Sequence, residues 1–269
     1  MTNLEYTFMT DTLFKMLFVK YPDLLKKLVA DLLEINYDGI KDFVIINPEI
    51  PPDSLGDKFC RLDINMLVDE QRVDIEIQVS NEGDYPERSL YYWARDFSTA
   101  LCEGEDYINL PRTIIINILD FILFECEEHH SEFQALEVTR HTALTDKMSL
   151  HYYELPKLPK LLNADNAKEL WLKLFQADTE EELNEIEALE VPVMSEAVNA
   201  YRRVVSSSEL REIERLYSKA RHNEAAALRH AKNERDEHWQ GVVAEKDAEN
   251  SELRSQLAEL QAKLENHSK

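Results

Sequence analysis

The sequence predicts an α/β protein: a mixed sheet flanked by helices, followed by a helical region and a C-terminal coiled coil. Residues 62–79, LDINMLVDEQRVDIEIQV, carry two runs of strict apolar–polar alternation, the pattern of paired half-buried strands. Residues 114–124, IIINILDFILF, are almost continuously apolar, as an inner strand should be. From about residue 163 onward the apolar spacing becomes helical. A chain of 269 residues with 44% apolar content and five glycines can bury a large core. The expected divisions are an α/β domain at 1–158, a helical bundle at 159–222, and a coiled-coil or single-helix tail at 223–269. The proline-rich LPKLPK marks the first boundary.

The elements follow in order. TDTLFKMLFVKY (10–21) reads as a helix capped by Thr10 or Asp11, and PDLLKKLVADLLE as a second helix with proline in its first turn. KDFVII is a short strand, and NPEIPPD an extended loop in which Glu49 is a further carboxylate. After the hairpin, residues 81–104 read as a loop and a long helix with Leu90, Trp93 or Ala94, Phe97 and Leu101 inward and Gly104 as its stop. Residues 132–155 read as two strands around Thr145-Asp146-Lys147, and SSSE at 206–209 as a capping box. In the tail, Trp239, Val243, Lys246, Asn250, Leu253, Leu257, Leu260 and Leu264 alternate by four and three, a heptad with Asn250 at an a position. Such a seam predicts a homodimer through the C-terminal helices. A single charged helix is the alternative.

The hairpin is where the chemistry gathers. A two-residue loop at Asp69-Glu70 makes paired positions sum to 139 and sets Asp63 opposite Glu76, whereas a four-residue loop makes the sum 141 and sets Asp63 opposite Gln78. Both registers collect Asp63, Asp74, Glu76 and Gln78 on one face. Like charges on facing strands repel, so folding alone does not favour this pattern, and a divalent cation with oxygen ligands would relieve it. A polar face simply meeting solvent is the competing reading.

Composition sets limits. The net charge of −23, with 11 basic against 23 acidic residues in 1–120, opposes non-specific binding to a polyanion. A polyanionic partner therefore needs a locally basic cleft, metal screening or another protein that delivers it, and Lys15, Lys58, Arg61, Arg88, Arg95 and Arg112 are candidates for such a cleft. Cys60, Cys102 and Cys126 are scattered, and no signal segment or membrane-length apolar run is present, so a cytoplasmic protein with no membrane partner is expected. CEEHH at 126–130 is a faint metal cue without a second ligand pair. His141 and His151 read as structural.

In order along the chain, DTLFK at 11–15, GDKFCRLDI at 56–64, VDIEIQ at 73–78, then Arg88, Tyr91 and Tyr92, and GEDYINLPRTIIINILDF at 104–121 resemble the Rpn family of recombination-promoting nucleases and putative transposases, a branch of the PD-(D/E)xK nuclease superfamily. The resemblance covers about residues 8–125. It implies a PD-(D/E)xK fold and Mg²⁺-dependent DNA endonuclease activity, with Mn²⁺ as a substitute, linked to recombination or mobile elements. Asp63 and Glu76 would hold the metal with the backbone carbonyl of Ile77, and Gln78 would orient water or phosphate. Lys15, Lys58 and Arg88 would bind substrate, and Asp11 and Asp74 would be accessory. Gln78 stands where the superfamily usually has lysine, although glutamine is common in this branch. The lost lysine and the acidity support a different class of function, a catalytically silent nuclease fold used in protein interaction or regulation. A transposase that also joins strands would share the site.

Overall fold

A computed structural model describes residues 2–46, 49–50, 60–61, 63–101 and 104–267. Two helices open the chain, α1 (Asp11–Lys20) and α2 (Pro22–Leu32), the second with proline in its first turn. Three short strands follow, β1 (Phe43–Ile45), β2 (Glu49–Ile50) and β3 (Cys60–Arg61), and then the central hairpin, β4 (Ile64–Val68) and β5 (Gln71–Gln78). Helix α3 (Tyr85–Ser98) leads to β6 (Thr113–Leu119), and β7 (His130–Phe133) pairs with β8 (Met148–Glu154). Four helices complete the chain: α4 (Ala167–Gln176), α5 (Glu180–Glu187), α6 (Pro192–Val205) and the 60-residue α7 (Ser208–His267).

The main sheet has strand order β1-β4-β5-β6-β8-β7, while β2 and β3 form a separate antiparallel pair. Its inner pairs β5–β6 and β6–β8 are parallel, and the flanking pairs are antiparallel. The hairpin register joins Ile64 to Ile75 and Val68 to Gln71, so paired positions sum to 139 around the Asp69-Glu70 turn. Asp69 takes φ 53°, a left-handed backbone that aspartate tolerates better than most residues. Its carboxylate also accepts from the amides of Lys41 at 2.9 Å and Asp42 at 3.1 Å, tying the turn to the segment before β1.

Register partners share a face, so the two faces of the sheet can be read directly. One carries Ile64, Met66, Val68, Val73, Ile75, Ile77, Ile114, Ile116 and Ile118, all buried. Tyr153, paired with Ile118, lies on this face and donates its hydroxyl to the Leu32 carbonyl at the end of α2. Helices α4 and α6 pack onto α1 and α2, where Phe18 stacks on Phe175 at 6.3 Å and Trp171 donates to Asp31 at 2.8 Å. The opposite face carries Asn65, Asp74, Glu76, Asn117 and Tyr152 together with the apolar Ile115, Leu119 and Leu150, and lies beneath α3.

Several local expectations shift. Helix α3 buries Tyr85, Ser89 and Asp96; of the expected stripe Trp93 packs inward on the core beneath the helix and donates to the Thr113 carbonyl at 3.0 Å, whereas Leu90 is exposed. The surface beneath it is mixed, polar at Asp74, Glu76 and Asn117 and apolar at Ile115, Leu119 and Leu150, so polar positions and Trp93 both turn inward. The helix ends at Ser98, before Gly104. The apolar run after Asn117 stops being strand at Leu119, and the turn expected at 145–147 widens to residues 134–147, held by a Leu136–Ala143 bridge. Ser207, not Ser206, caps α7 by accepting from Leu210 N, while Glu209 reaches Lys20. A capping box forms instead at α5, between Thr179 and Glu182. His141 sits in a turn at φ 56° rather than on a strand.

The chain separates into two compact units, 1–210 and 211–269. Helices α4 to α6 belong to the first. The second is helical to residue 267.

Candidate active site

Asp63 immediately precedes β4, and the hairpin register sets it across from Glu76 on β5. The two acids are tied through each other's backbone: Asp63 N donates to Glu76 Oε1 at 3.0 Å, and Ile77 N donates to Asp63 Oδ2 at 2.9 Å. From α1, Lys15 Nζ reaches Asp63 Oδ1 at 3.1 Å and Asp11 Oδ1 at 2.5 Å. Asp11 and Lys15 lie one helical turn apart, so one face of the helix carries both toward the hairpin. Asp63, Glu76, Ile77, Lys15 and Asp11 are therefore brought together.

The electrostatics are those of excess buried negative charge. Burial raises Asp63, and the Lys15 ammonium and the Ile77 amide only partly offset it. Burial, then the Asp63 charge, raises Glu76 well above the ordinary range. Asp74 is fully buried on the same face, raised well above the ordinary range by burial and then by Glu76. As a carboxylate it finds no donor for either oxygen; protonated, it can donate to Glu76. For Lys15, burial pulls the ammonium down, but the Asp63 and Asp11 carboxylates outweigh this and hold it above its usual value.

The other expected residues fall less centrally. Gln78 is on the right strand and face, but its amide donates to the Ser80 carbonyl at 2.9 Å. Arg88 lies over the Tyr85 ring at 4.8 Å and 3.7 Å from Glu82. Arg112 stands at the other end of the sheet, beside Gln71 and Glu132, about 20 Å along the strands from Gln78. Lys58 lies outside the described residues, as does the side chain of Arg61. In the CEEHH segment His130 stacks on Tyr153 at 4.3 Å and meets His151 at 3.1 Å, and Cys126 is exposed.

The sequence reading missed five residues of this polar layer, Asn65, Arg72, Tyr85, Asp96 and Asn117. Asn65 pairs directly with Asp74, and Asp96 on α3 takes an ion pair from Arg72 Nε at 3.0 Å. Tyr85 donates to Asn117 Oδ1 at 2.9 Å and is raised well above its usual range by burial and then by the Glu76 charge. Asn65 was discoverable, since it shares Asp63's side of the strand alternation. Nothing in the spacing of α3 singled out Asp96.

Among the described residues, no group of three or more His, Cys, Asp or Glu side chains is placed to cage a metal ion. The Asp63–Glu76 pair nonetheless fits a hard divalent cation: its donors are oxygens, their surplus charge is what such an ion removes, and Mg²⁺ is commonly held by one or two carboxylates with waters completing the shell.

The family model described as PD-(D/E)XK nuclease family transposase matches residues 8–231. The chain belongs to this family. Its mixed sheet flanked by helices is consistent with the PD-(D/E)XK fold, and the membership places it among nucleases associated with mobile elements, enzymes that typically use divalent metals. No curated protein and no solved structure matches the chain. Among the described residues no helix is long and apolar enough to cross a membrane.

Proposed function

We propose that this PD-(D/E)XK protein is a divalent-metal-dependent DNA endonuclease working with Mg²⁺ or Mn²⁺. The observation that carries the reading is the meeting of Asp63, Glu76 and Lys15 at one point, from three elements, with both acids raised by burial. Asp63 and Glu76 would hold the ion, with the Ile77 carbonyl as a third oxygen. When bound, the ion supplies Lewis-acid polarisation of a phosphoryl oxygen and a lowered pKa for a bound water.

The chain's own residues divide the remaining work. Lys15 provides a cation beside Asp63, the charge that an uncharged Gln78 cannot supply, and would contact a non-bridging phosphate oxygen. Gln78 would leave the Ser80 carbonyl to orient water or phosphate. Arg88, over Tyr85, adds positive charge on the α3 side, and Lys58 remains a proposed phosphate contact. Asp11 holds Lys15 from behind, and Asp74 shapes the charge of Glu76 from beneath α3. With a net charge of −23 and Lys15 already paired to Asp63 and Asp11, the bound ion would have to supply much of the positive charge that draws DNA to the site.

Plasmid nicking and linearisation with Mg²⁺, Mn²⁺ or EDTA tests the reading, for wild type beside Asp63→Ala and Lys15→Ala. Metal-dependent cleavage lost in Asp63→Ala and strongly reduced in Lys15→Ala is the expected result. Equal residual cleavage in all three proteins would mark a contaminant. No cleavage by folded wild type on any DNA form would favour a silent nuclease fold acting in protein interaction or regulation, which the engagement of the Gln78 amide by Ser80 would then explain. Joined-strand products would extend the activity to strand transfer.

A further inference from the structure

Helix α7 presents an apolar seam that nothing among the described residues of the second unit covers. Trp239, Val243, Leu253 and Leu257 are each exposed by half or more, yet they lie on one line, spaced by the four–three alternation of a heptad. Water-exposed leucines and a tryptophan in such a line cost hydration free energy that a single helix cannot recover. The occupant can be deduced from the positions flanking the seam. With Asn250 at a, Val243 and Leu257 are also a, and Trp239, Lys246 and Leu253 are d. Glu249 then falls at g and Arg254 at the e position five residues on. In a parallel, in-register pair, the g residue of one helix faces that e residue of its partner, so Glu249 meets Arg254 twice by symmetry. The two Asn250 amides also meet across the seam, where a buried asparagine selects two strands and a fixed register. Lys246 is the discordant d residue. Glu249 of the same helix bonds its ammonium at 2.6 Å, which tempers the cost of bringing two such residues together.

We infer that α7 pairs with a second copy of this chain as a parallel, in-register, two-stranded coiled coil. Connectivity then brings both 1–210 units to the same end of the coil, which an antiparallel pair would not do. The inference does not depend on the nuclease reading, because mass and cross-linking are read without DNA or metal.

The test uses the full chain. Light scattering at micromolar concentration should give twice the 31.4 kDa chain mass, and Leu253→Asp with Leu257→Asp should halve it while the far-ultraviolet signal of the first unit persists. Glu249→Arg should weaken the dimer, and adding Arg254→Glu should restore it. Under mild oxidation Asn250→Cys should give a disulfide-linked dimer, while Ala248→Cys, on the outward side of the heptad, should stay at the background set by the native cysteines. A monomeric wild type, a trimer or tetramer, or a dimer indifferent to the two aspartates would overturn the proposal. So would a dimer in which Asn250→Cys fails to cross-link, which would indicate another register or an antiparallel pair.

Discussion

On one face of β5, Val73, Ile75 and Ile77 are buried among apolar side chains; on the other, Asp74 and Glu76 are buried as deeply beneath α3. The apolar face gains about 25 cal/mol for each Å² removed from water. The acidic face loses, because desolvation and mutual repulsion push both carboxylates toward their neutral forms. Neighbouring β6 is buried along its whole length with only Thr113 and Asn117 polar, so nothing about a central strand requires acids. On β5 the difference separates residues whose burial stabilises the fold from residues whose burial costs it, and the proposed chemistry would account for that cost.

The comparison breaks most decisively at Glu76. Glu76→Gln keeps the shape and removes the charge, so metal-dependent cleavage should fall about a thousand-fold or more, while the thermal midpoint holds or rises. Retained cleavage would remove the acidic face's claim to chemistry. On the apolar face, Ile75→Ala should lower unfolding free energy by about 2–5 kcal/mol in denaturant titration. A loss well under 1 kcal/mol would mean that this face is not the stabilising one.

Titration sharpens the contrast. Burial lowers His151, on the apolar side of the sheet, to about 4, against the opposing pull of Glu132. A depressed base contributes stability that is full above about pH 6.5 and is lost as pH falls toward 4. His151→Gln should therefore flatten the acid limb of the stability curve by up to about 3 kcal/mol. Asp74 has the opposite sign: raised by burial, it contributes stability below the ordinary carboxylate range that is lost as pH rises. Asp74→Asn should accordingly stabilise the protein by about 1–3 kcal/mol at pH 7 and by nothing at pH 3. A gain that persisted at pH 3 would show that it does not come from the titration of Asp74.

Much of this was legible in the sequence where local rules govern. The alternation in 62–79 fixes which residues share a face, and an aspartate able to adopt a left-handed backbone at 69 selects the tighter of the two registers. That register alone sets Asp63 across from Glu76. What alternation does not reveal is what covers each face. The polar side was open to a solvent-facing reading, and only α3, turned so that Ser89 and Asp96 point inward, makes it a buried layer. The meeting of Lys15 with Asp63 joins residues 48 positions apart and depends on how α1 seats against the hairpin, which no short-range pattern encodes. Gln78 was placed on the correct strand, but its hydrogen bond to Ser80 is a rotamer choice invisible to spacing.

The strand order also bears on how the molecule is built in time. Asp63 and Glu76 are 13 residues apart on a hairpin closed by a two-residue turn, whereas β5 reaches β6 only across α3. Hairpins of this kind form in microseconds, while parallel pairings must first close longer loops. The two acids are thus set side by side while still hydrated. Burial comes later and from two sides, as Lys15 on α1 closes on Asp63 and Tyr85 on α3 meets Asn117 beside Glu76, so the hairpin presents both acids before the walls of the pocket are in place.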